Sequence, residues 1–194
     1  GKDPNYHLDK TEAADKLGIS LIHLFEDDLT YRWEVVQSML KVRLGLAKKI
    51  LAENCFIKKI SKAEASVFCN QYHLKKSSTF DFAFGLKYNN ELVCIGTFKK
   101  LIDETIELVR FCSIENVEVI GGLSKILSKM PKVCTLIINV DRSYSNGKDL
   151  ERIGFTLQDT KSPSCFNFIS PDNLRMSIAE SSKGSDFNQI WDCG

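Results

Sequence analysis

The alternation of apolar and polar residues divides the chain into two regions of different texture. The first region begins with helix formers over residues 6–18, followed by the apolar run ISLIHLF (19–25), which predicts a buried strand. Apolar residues then recur at helical spacing over residues 30–45, which predicts a helix capped by Thr30. LAKKILAEN (46–54) predicts a further short helix or a linker. Residues 1–53 are therefore predicted to form a small αβα region.

The second region, residues 54–194, has shorter elements. A strand is predicted for CFIKKI and a capped helix for SKAEASVFCNQYH, which follows it directly. A hairpin is predicted around Asn89-Asn90, a pair favoured in tight turns. Further strands are predicted for TIELVRFCS, FTLQDT and CFNFIS, a central buried strand for KVCTLIINV, and helices for GGLSKILSKM and the segment after DRSYSNGK. The predicted fold class is α/β, with a mixed sheet flanked by helices.

Cysteine usage and hydropathy narrow the class of protein. The chain has 194 residues and 43% hydrophobic residues, enough for a substantial core. Its seven cysteines form no CxxC pair and mostly lie in apolar strand-like runs. They are therefore expected to be small buried residues in a reducing compartment rather than disulfides or zinc ligands. No apolar run has membrane-spanning length, and we expect no signal peptide.

The charge is unevenly distributed although 26 Lys and Arg nearly balance 25 Asp and Glu. Residues 54–80 carry five lysines and one glutamate, and residues 123–161 carry seven basic and four acidic residues. Each block contains a polar loop, HLKKSST (73–79) or DRSYSNGK (141–148). If the fold places the two loops side by side, they form a phosphate-binding face. The plainer interpretation is that each lysine is simply solvated.

The order of these motifs resembles a known family. YHLDKTEAADKLGISLIHLFEDD followed by VVQSMLKVRLG is similar to the end of the nuclease core in phage free-standing homing endonucleases of the Vsr-like class. FIKKISKAEASVFCNQYHLKKSS, FGLKYNNELVCIGTF, ELVRFCS, VIGGLSKIL and DRSYSNGKDLERIGF resemble the domain that follows it. That second domain also resembles the acetyltransferase (GNAT) fold, particularly its Mom-type branch. The resemblance implies a chain encoded by a phage or mobile element and active on DNA in the bacterial cytoplasm.

The departures from this family bear on activity. Family nucleases begin upstream with a strand that carries an acid and a Trp-His-type motif, whereas only residues 1–5 precede the first helix here. Metal-assisted cleavage needs several converging carboxylates or histidines, so we expect an incomplete nuclease with no metal and no catalytic residue. His7 is expected at the surface and His23 in a packed strand. Glu26, Asp27 and Asp28 are expected at a helix start, where acids are favoured.

The acetyltransferase interpretation meets a similar difficulty. Acetyltransferases hold the cofactor pyrophosphate on a Gly-rich turn at a helix start. Here Gly121-Gly122 lacks the family's spacing and its Arg or Gln. Leu150 stands where the related endonucleases usually have a Tyr, and leucine cannot relay a proton. No cofactor is therefore expected, and acyl transfer is kept as an alternative.

These arguments favour a DNA-binding protein that descends from a homing endonuclease, has lost cleavage and represses transcription by occlusion. A site-specific endonuclease is the first alternative. The expected partners are double-stranded DNA and no membrane. A homodimer would use the apolar face of the predicted 30–45 helix (Val35, Val36, Met39 and Leu40), unless that helix packs on the second domain.

Residue types suggest roles within the two loops. Lysine and arginine would neutralise phosphates, and Arg142 is the best candidate to read a guanine in the major groove. His73 would either cap a helix or face DNA, and Ser124 with Lys125 would hold a phosphate. Arg110 and Asp141 would pair within the domain. The predicted DNA-binding residues are His73, Lys75, Lys76, Ser77, Ser78, Ser124, Lys125, Arg142, Ser145, Asn146 and Lys148.

Overall fold

The computed structural model describes residue 3, residues 5–131 and 135–159, and the backbone of three strands after residue 164. The chain divides into two compact units: a central unit of residues 32–139, and a terminal unit of residues 1–31 and 140–194. The predicted boundary at residue 53 does not coincide with this division. The structure contains both helices and mixed sheets, which confirms the α/β class. No helix in the described part is long and apolar enough to cross a membrane.

The elements are numbered in chain order. The helices are α1 (Tyr6–Lys16), α2 (Glu26–Tyr31), α3 (Trp33–Arg43), α4 (Lys62–Tyr72), α5 (Gly122–Leu127) and α6 (Lys148–Glu151), with a 3-10 turn at Ala52–Asn54. The strands are β1 (Lys48–Leu51), β2 (Phe56–Ile60), β3 (Phe82–Tyr88), β4 (Glu91–Lys100), β5 (Thr105–Ser113), β6 (Val117–Ile120), β7 (Thr135–Ile138), β8 (Cys165–Ile169), β9 (Leu174–Ser177) and β10 (Phe187–Trp191).

The central unit is built on a five-stranded sheet in the order β2-β3-β4-β5-β7. The strands from β2 to β5 are antiparallel, and β7 runs parallel to β5. The predicted hairpin is confirmed, because Asn89 and Asn90 join β3 to β4 with φ angles of 50° and 67°. Such left-handed angles are what a two-residue turn between twisted strands requires.

Two apolar clusters cover the two faces of this sheet. On one face, Ile95 and Ala83 pack against Ala65 and Phe68 of α4. On the other face, Leu86 and Phe98 pack with Ile126 of α5 and with residues of β1 and β6. Helix α4 forms as predicted, since Ser61 at its N-cap accepts a hydrogen bond from the Glu64 N–H at 3.2 Å. Its position on the sheet fixes where the following loop, residues 73–79, begins.

Several predicted elements differ from the observed ones in the first 54 residues. Residues 19–25 form no strand and are mostly exposed or half-buried, so an apolar run did not suffice without a pairing partner. The predicted 30–45 helix is two helices, α2 and α3, separated at Arg32, whose φ of −137° is not helical. Glu26, Asp27 and Asp28 do start a helix, as predicted, and that helix is α2.

Residues 46–54, predicted as helix or linker, contain strand β1. This strand pairs in parallel with β6, from Lys48 with Val117 to Leu51 with Ile120. The partner lies about seventy positions later in the chain, and such a distant pairing leaves no local periodic signal. Tertiary pairing has therefore overridden the helical propensity of this segment.

Helix α3 is covered by its own unit rather than left open for a second copy. Val35 and Val36 are buried, and Met39 and Leu40 are half-buried. The helix packs against β6, and Ser38 Oγ accepts the Asn116 N–H at 2.7 Å. The apolar face that was a candidate for homodimerisation is thus occupied within the central unit.

Later in the chain, the segment KVCTLIINV was predicted to be a central buried strand. It is observed as β7, which is the last strand in the order of the described sheet and is only partly buried. Residues 155–159 of the predicted strand FTLQDT are irregular, and residue 160 lies outside the described residues. A strand is confirmed at Cys165–Ile169, paired with β9 and β10. Cys55, Cys69 and Cys94 are buried free thiols, as predicted, whereas Cys134 and Cys193 lie outside the described residues.

Candidate nucleic-acid interface

The two units carry opposite net charge. Residues 32–139 contain 17 Lys and Arg against 10 Asp and Glu, a net charge of +7. Residues 1–31 and 140–194 contain 9 Lys and Arg against 15 Asp and Glu, a net charge of −6. The near-neutral total therefore conceals a strongly basic central unit, and positive charge of this size attracts polyanions.

Loop 73–79 of the central unit closes back on the helix that precedes it. The Lys76 N–H donates to the His73 carbonyl at 2.9 Å, and Lys76 has a left-handed φ of 54°. The Ser77 N–H then donates to Asn70 Oδ1, on the last turn of α4, at 3.0 Å. This short turn brings together five of the predicted DNA-binding residues: His73, Lys75, Lys76, Ser77 and Ser78.

Two arginines from distant parts of the central unit reach the same turn. Arg32 Nη2 donates to the carbonyls of Gln71 and His73, at 3.2 and 2.8 Å. Arg110, on β5, donates from Nε to the Lys76 carbonyl at 2.9 Å and from Nη1 to its neighbour Val109 at 2.8 Å. Cations are favoured beside the carbonyls at the C-terminus of a helix, which explains why both arginines lie here.

Burial and the neighbouring cations both act on the pKa of His73. Burial, followed by the charges of Arg110, Lys75 and Arg32, lowers the pKa of His73 to about 3. The ring is therefore neutral at physiological pH. Its Nδ1 accepts the Lys75 N–H at 3.1 Å, so the ring proton is assigned to Nε2. Of the two predicted roles, the structure places His73 at the helix end.

The salt bridges of the described residues bear on the two arginines of this turn. Among the described residues, neither Arg32 nor Arg110 takes part in an ion pair. Burial lowers the pKa of Arg110, while Cys69, Cys112 and Glu107 act in the opposite direction. Glu107 accepts a hydrogen bond from Asn139 Nδ2 at 2.7 Å. The turn at the end of α4 is thus a concentration of positive charge with a neutral histidine at its centre.

The other predicted loop, residues 141–148, lies in the terminal unit and is differently arranged. Arg142 forms an ion pair with Glu12 at 3.6 Å, and its side chain is only 20% exposed. Asn146 Nδ2 donates to Asp15 at 3.1 Å, and its Oδ1 accepts the Lys148 N–H. Ser145 Oγ accepts the Gly147 N–H at 3.2 Å. Most predicted donors of this loop are therefore already engaged with acids or with the loop's own backbone, whereas the Lys148 side chain is exposed.

Lys125 has a structural role that its sequence position did not suggest. Its ammonium lies 2.7, 3.4 and 2.6 Å from the carbonyls of Ala52, Glu53 and Cys55. An ammonium has three N–H donors, so these three acceptors saturate it. Ser124, in the same helix, is exposed. Lys125 therefore joins α5 to the 3-10 turn, and we leave it out of the interface.

Arg32 was missed by sequence reasoning, and Arg110 was expected to pair with Asp141. The donors of Arg110 instead go to Lys76 and Val109, and Asp141 accepts the Ser143 N–H at 2.9 Å within its own loop. Arg32 lies about forty positions before the loop it contacts, and no motif links the two. The sequence signal concerned Arg110 alone, because an arginine on a strand within an apolar run requires a partner.

In the terminal unit, the expected nuclease remnants form a packed polar cluster. The rings of His7 and His23 lie edge to face with centroids 5.1 Å apart, and the buried Thr11 Oγ1 lies 2.8 Å from His23 Nε2. Burial lowers the pKa of both histidines. Asp28 accepts a hydrogen bond from the Tyr144 hydroxyl at 2.8 Å. Within the described ranges, no group of three or more His, Cys, Asp or Glu is arranged to hold a metal ion.

No protein-family model matches the chain, and neither curated proteins nor solved structures show a significant match to it. The resemblance to homing endonucleases and to acetyltransferases therefore stays a prediction.

Proposed function

We propose that this protein binds double-stranded DNA at a specific site and represses transcription by occluding it. The observation that carries the proposal is the concentration of positive charge in the central unit, where two arginines support the loop that carries Lys75 and Lys76. A polyanion with a regular array of phosphates is the natural counterpart of such a surface. The charge of the terminal unit has the opposite sign, so affinity is assigned to the central unit.

The proposed contacts follow from what each side chain is already doing. Lys75, Lys76 and the hydroxyls of Ser77 and Ser78 lie on the turn that the two arginines support, and these side chains supply the phosphate contacts. Arg142, Ser145, Asn146 and Lys148 remain secondary candidates, because most of them must first release partners within their own unit. For Arg142 this means breaking one ion pair with Glu12, whose N···O distance of 3.6 Å is longer than that of a charge-assisted hydrogen bond.

The test is a gel-shift titration against a randomised duplex library, at two salt concentrations and with Mg²⁺ present. The selected duplex is then titrated with the double variant Lys75→Gln/Lys76→Gln. Each phosphate contact contributes about 0.9 to the slope of log affinity against log salt, so the slope should fall by about 2. A denaturing gel of the same samples shows whether the strands stay intact, as the proposal requires.

The matched control is Lys10→Gln/Lys16→Gln, which removes the same charge from exposed positions of α1 in the terminal unit. We expect this variant to keep the wild-type salt slope. Equal losses in the two double variants would assign binding to net charge alone. Cut strands would support the endonuclease alternative instead. If no duplex shows a gel shift, DNA is not the ligand.

A further inference from the structure

We propose that the C-terminal end of α4 forms a subsite for a single phosphate group, with Arg32, Arg110 and Lys76 as its cationic ligands. As a contact to a DNA backbone phosphodiester the subsite rests on the proposed function. The same chemistry would accept a free phosphate, so the two sources are separated by experiment.

Two arginines converge on the turn that carries Lys76. Arg32 Nη2 and the Lys76 N–H donate to one acceptor, the His73 carbonyl, at 2.8 and 2.9 Å. Arg110 Nε donates to the carbonyl of Lys76 at 2.9 Å. Each guanidinium is thus one hydrogen bond away from the four-residue segment 73–76. Two arginine side chains therefore reach the tight turn that carries Lys76, although the three residues span almost eighty positions in the chain.

Backbone carbonyls do not account for every N–H donor of the two arginines. Arg32 Nε is buried and has no hydrogen-bond partner in the part of the chain that the structure describes. The hydrogen bonds of Arg110 use Nε and Nη1, and a guanidinium has five N–H groups in all. Lys125 provides the internal contrast, because its three donors meet three carbonyls. Capping of backbone carbonyls therefore accounts fully for Lys125 but only in part for the arginines.

The charge and the shape of this turn both favour a phosphate group. Glu107 acts electrostatically on Arg110, but among the described residues neither arginine takes part in an ion pair, and His73 stays neutral beside the cations. An oxyanion would offset this charge. Planar guanidinium forks bind phosphate oxygens in pairs, and the tetrahedral group presents further oxygens to Lys76. A phosphate group matches this arrangement of donors better than a carboxylate, whose two oxygens lie in one plane.

The experiment is an NMR titration of the full chain with inorganic phosphate at constant ionic strength. We expect saturable shifts of the His73 ring and of the Lys76 and Ser77 amides, together with a rise in the pKa of His73 as the bound anion favours the imidazolium. Lys76→Gln should weaken phosphate binding about fivefold, the effect of one unit charge near 4 Å in water. Lys76 supports the turn through its backbone, so this variant leaves the hydrogen bonds of the turn in place.

The matched control is Lys62→Gln, which removes an exposed lysine at the opposite end of the same helix, about 16 Å away. Arg110→Lys is the second variant, since it retains the charge but lacks the fork, and it should also weaken phosphate binding. The proposal is overturned if phosphate produces no saturable shift at the turn, or if Lys62→Gln weakens binding as much as Lys76→Gln.

A parallel titration with duplex DNA separates this inference from the proposed function. Phosphate binding at the turn without duplex binding would support the subsite and remove DNA as its source. Duplex binding without any response to inorganic phosphate would leave the DNA-binding proposal in place and overturn the subsite.

Discussion

Loops 73–79 and 141–148 look alike in sequence but differ in their electrostatic surroundings. Both are short, polar, rich in hydroxyl groups, and carry basic residues. Loop 73–79 is supported by Arg32 and Arg110, so its neighbours add positive charge. Loop 141–148 is held by Glu12 and Asp15, so its neighbours remove positive charge.

The difference lies in residues that are remote in the chain. Glu12 and Asp15 on α1 precede their partners by about 130 positions, and Arg32 precedes loop 73–79 by about 40. Composition within a loop therefore does not decide whether the loop can bind an anion. What decides it is the sign of the side chains that the fold brings beneath it.

Replacing the arginine under the first loop should have the largest effect. Arg110→Ala removes two hydrogen bonds from a charged donor to backbone carbonyls, and we expect a loss of about 3 kcal/mol in the free energy of unfolding. Urea denaturation measures it. The matched substitution in loop 141–148 is Arg142→Ala. We expect it to lower the free energy of unfolding by about 1 kcal/mol or less. Equal costs would contradict the distinction between the loops.

Acid should lower the free energy of unfolding through His73, the first residue of loop 73–79. Because its pKa falls from 6.5 to about 3 on folding, the unfolded chain binds more protons between these values. The stability associated with the neutral ring is complete above pH 6.5 and is lost as the pH falls towards 3. Between pH 7 and pH 5, wild type should therefore lose about 2 kcal/mol more than His73→Gln.

The same urea titrations at both pH values provide the measurement. His7 and His23 also have lowered pKa values and persist in the variant, so their contribution cancels in the difference. Parallel stability curves for wild type and His73→Gln would show that the ring is not held neutral.

The smallest effect is expected on DNA binding, when Arg142 of loop 141–148 is released from its ion pair. Glu12→Ala frees Arg142 from its ion pair and should strengthen DNA binding by up to about 1 kcal/mol. The control is Glu151→Ala, which removes the same charge from an exposed position on α6. Identical gains in gel-shift titrations would mean that only net charge has changed and that Arg142 does not read DNA.

The fold was predictable where the signals were local. Helix α4 follows from its Ser61 cap, and the β3-β4 hairpin follows from alternation around Asn89-Asn90. Strand β1 was not predictable, because its partner β6 lies far along the chain. The apolar run at 19–25 has the composition of a strand but pairs with no strand in the described residues, where its His23 N–H donates to the Ser143 carbonyl of a loop.

The candidate site divides in the same way. His73, Lys75, Lys76, Ser77 and Ser78 could be grouped from sequence because a single turn contains them. Lys125 could not be excluded from sequence, because its carbonyl partners lie some seventy residues earlier. Arg32 could not be included, since only the packed central unit brings it to the end of α4.

The division of the chain also has a consequence for synthesis on the ribosome. The terminal unit is interrupted by the whole central unit, whose own β1 must wait for β6. A chain emerging from the exit tunnel can therefore complete the central unit once residue 139 has appeared, while residues 1–31 still lack their partners. We therefore expect the usual order, in which the N-terminal unit folds first, to be reversed, so that the basic unit folds before the acidic one.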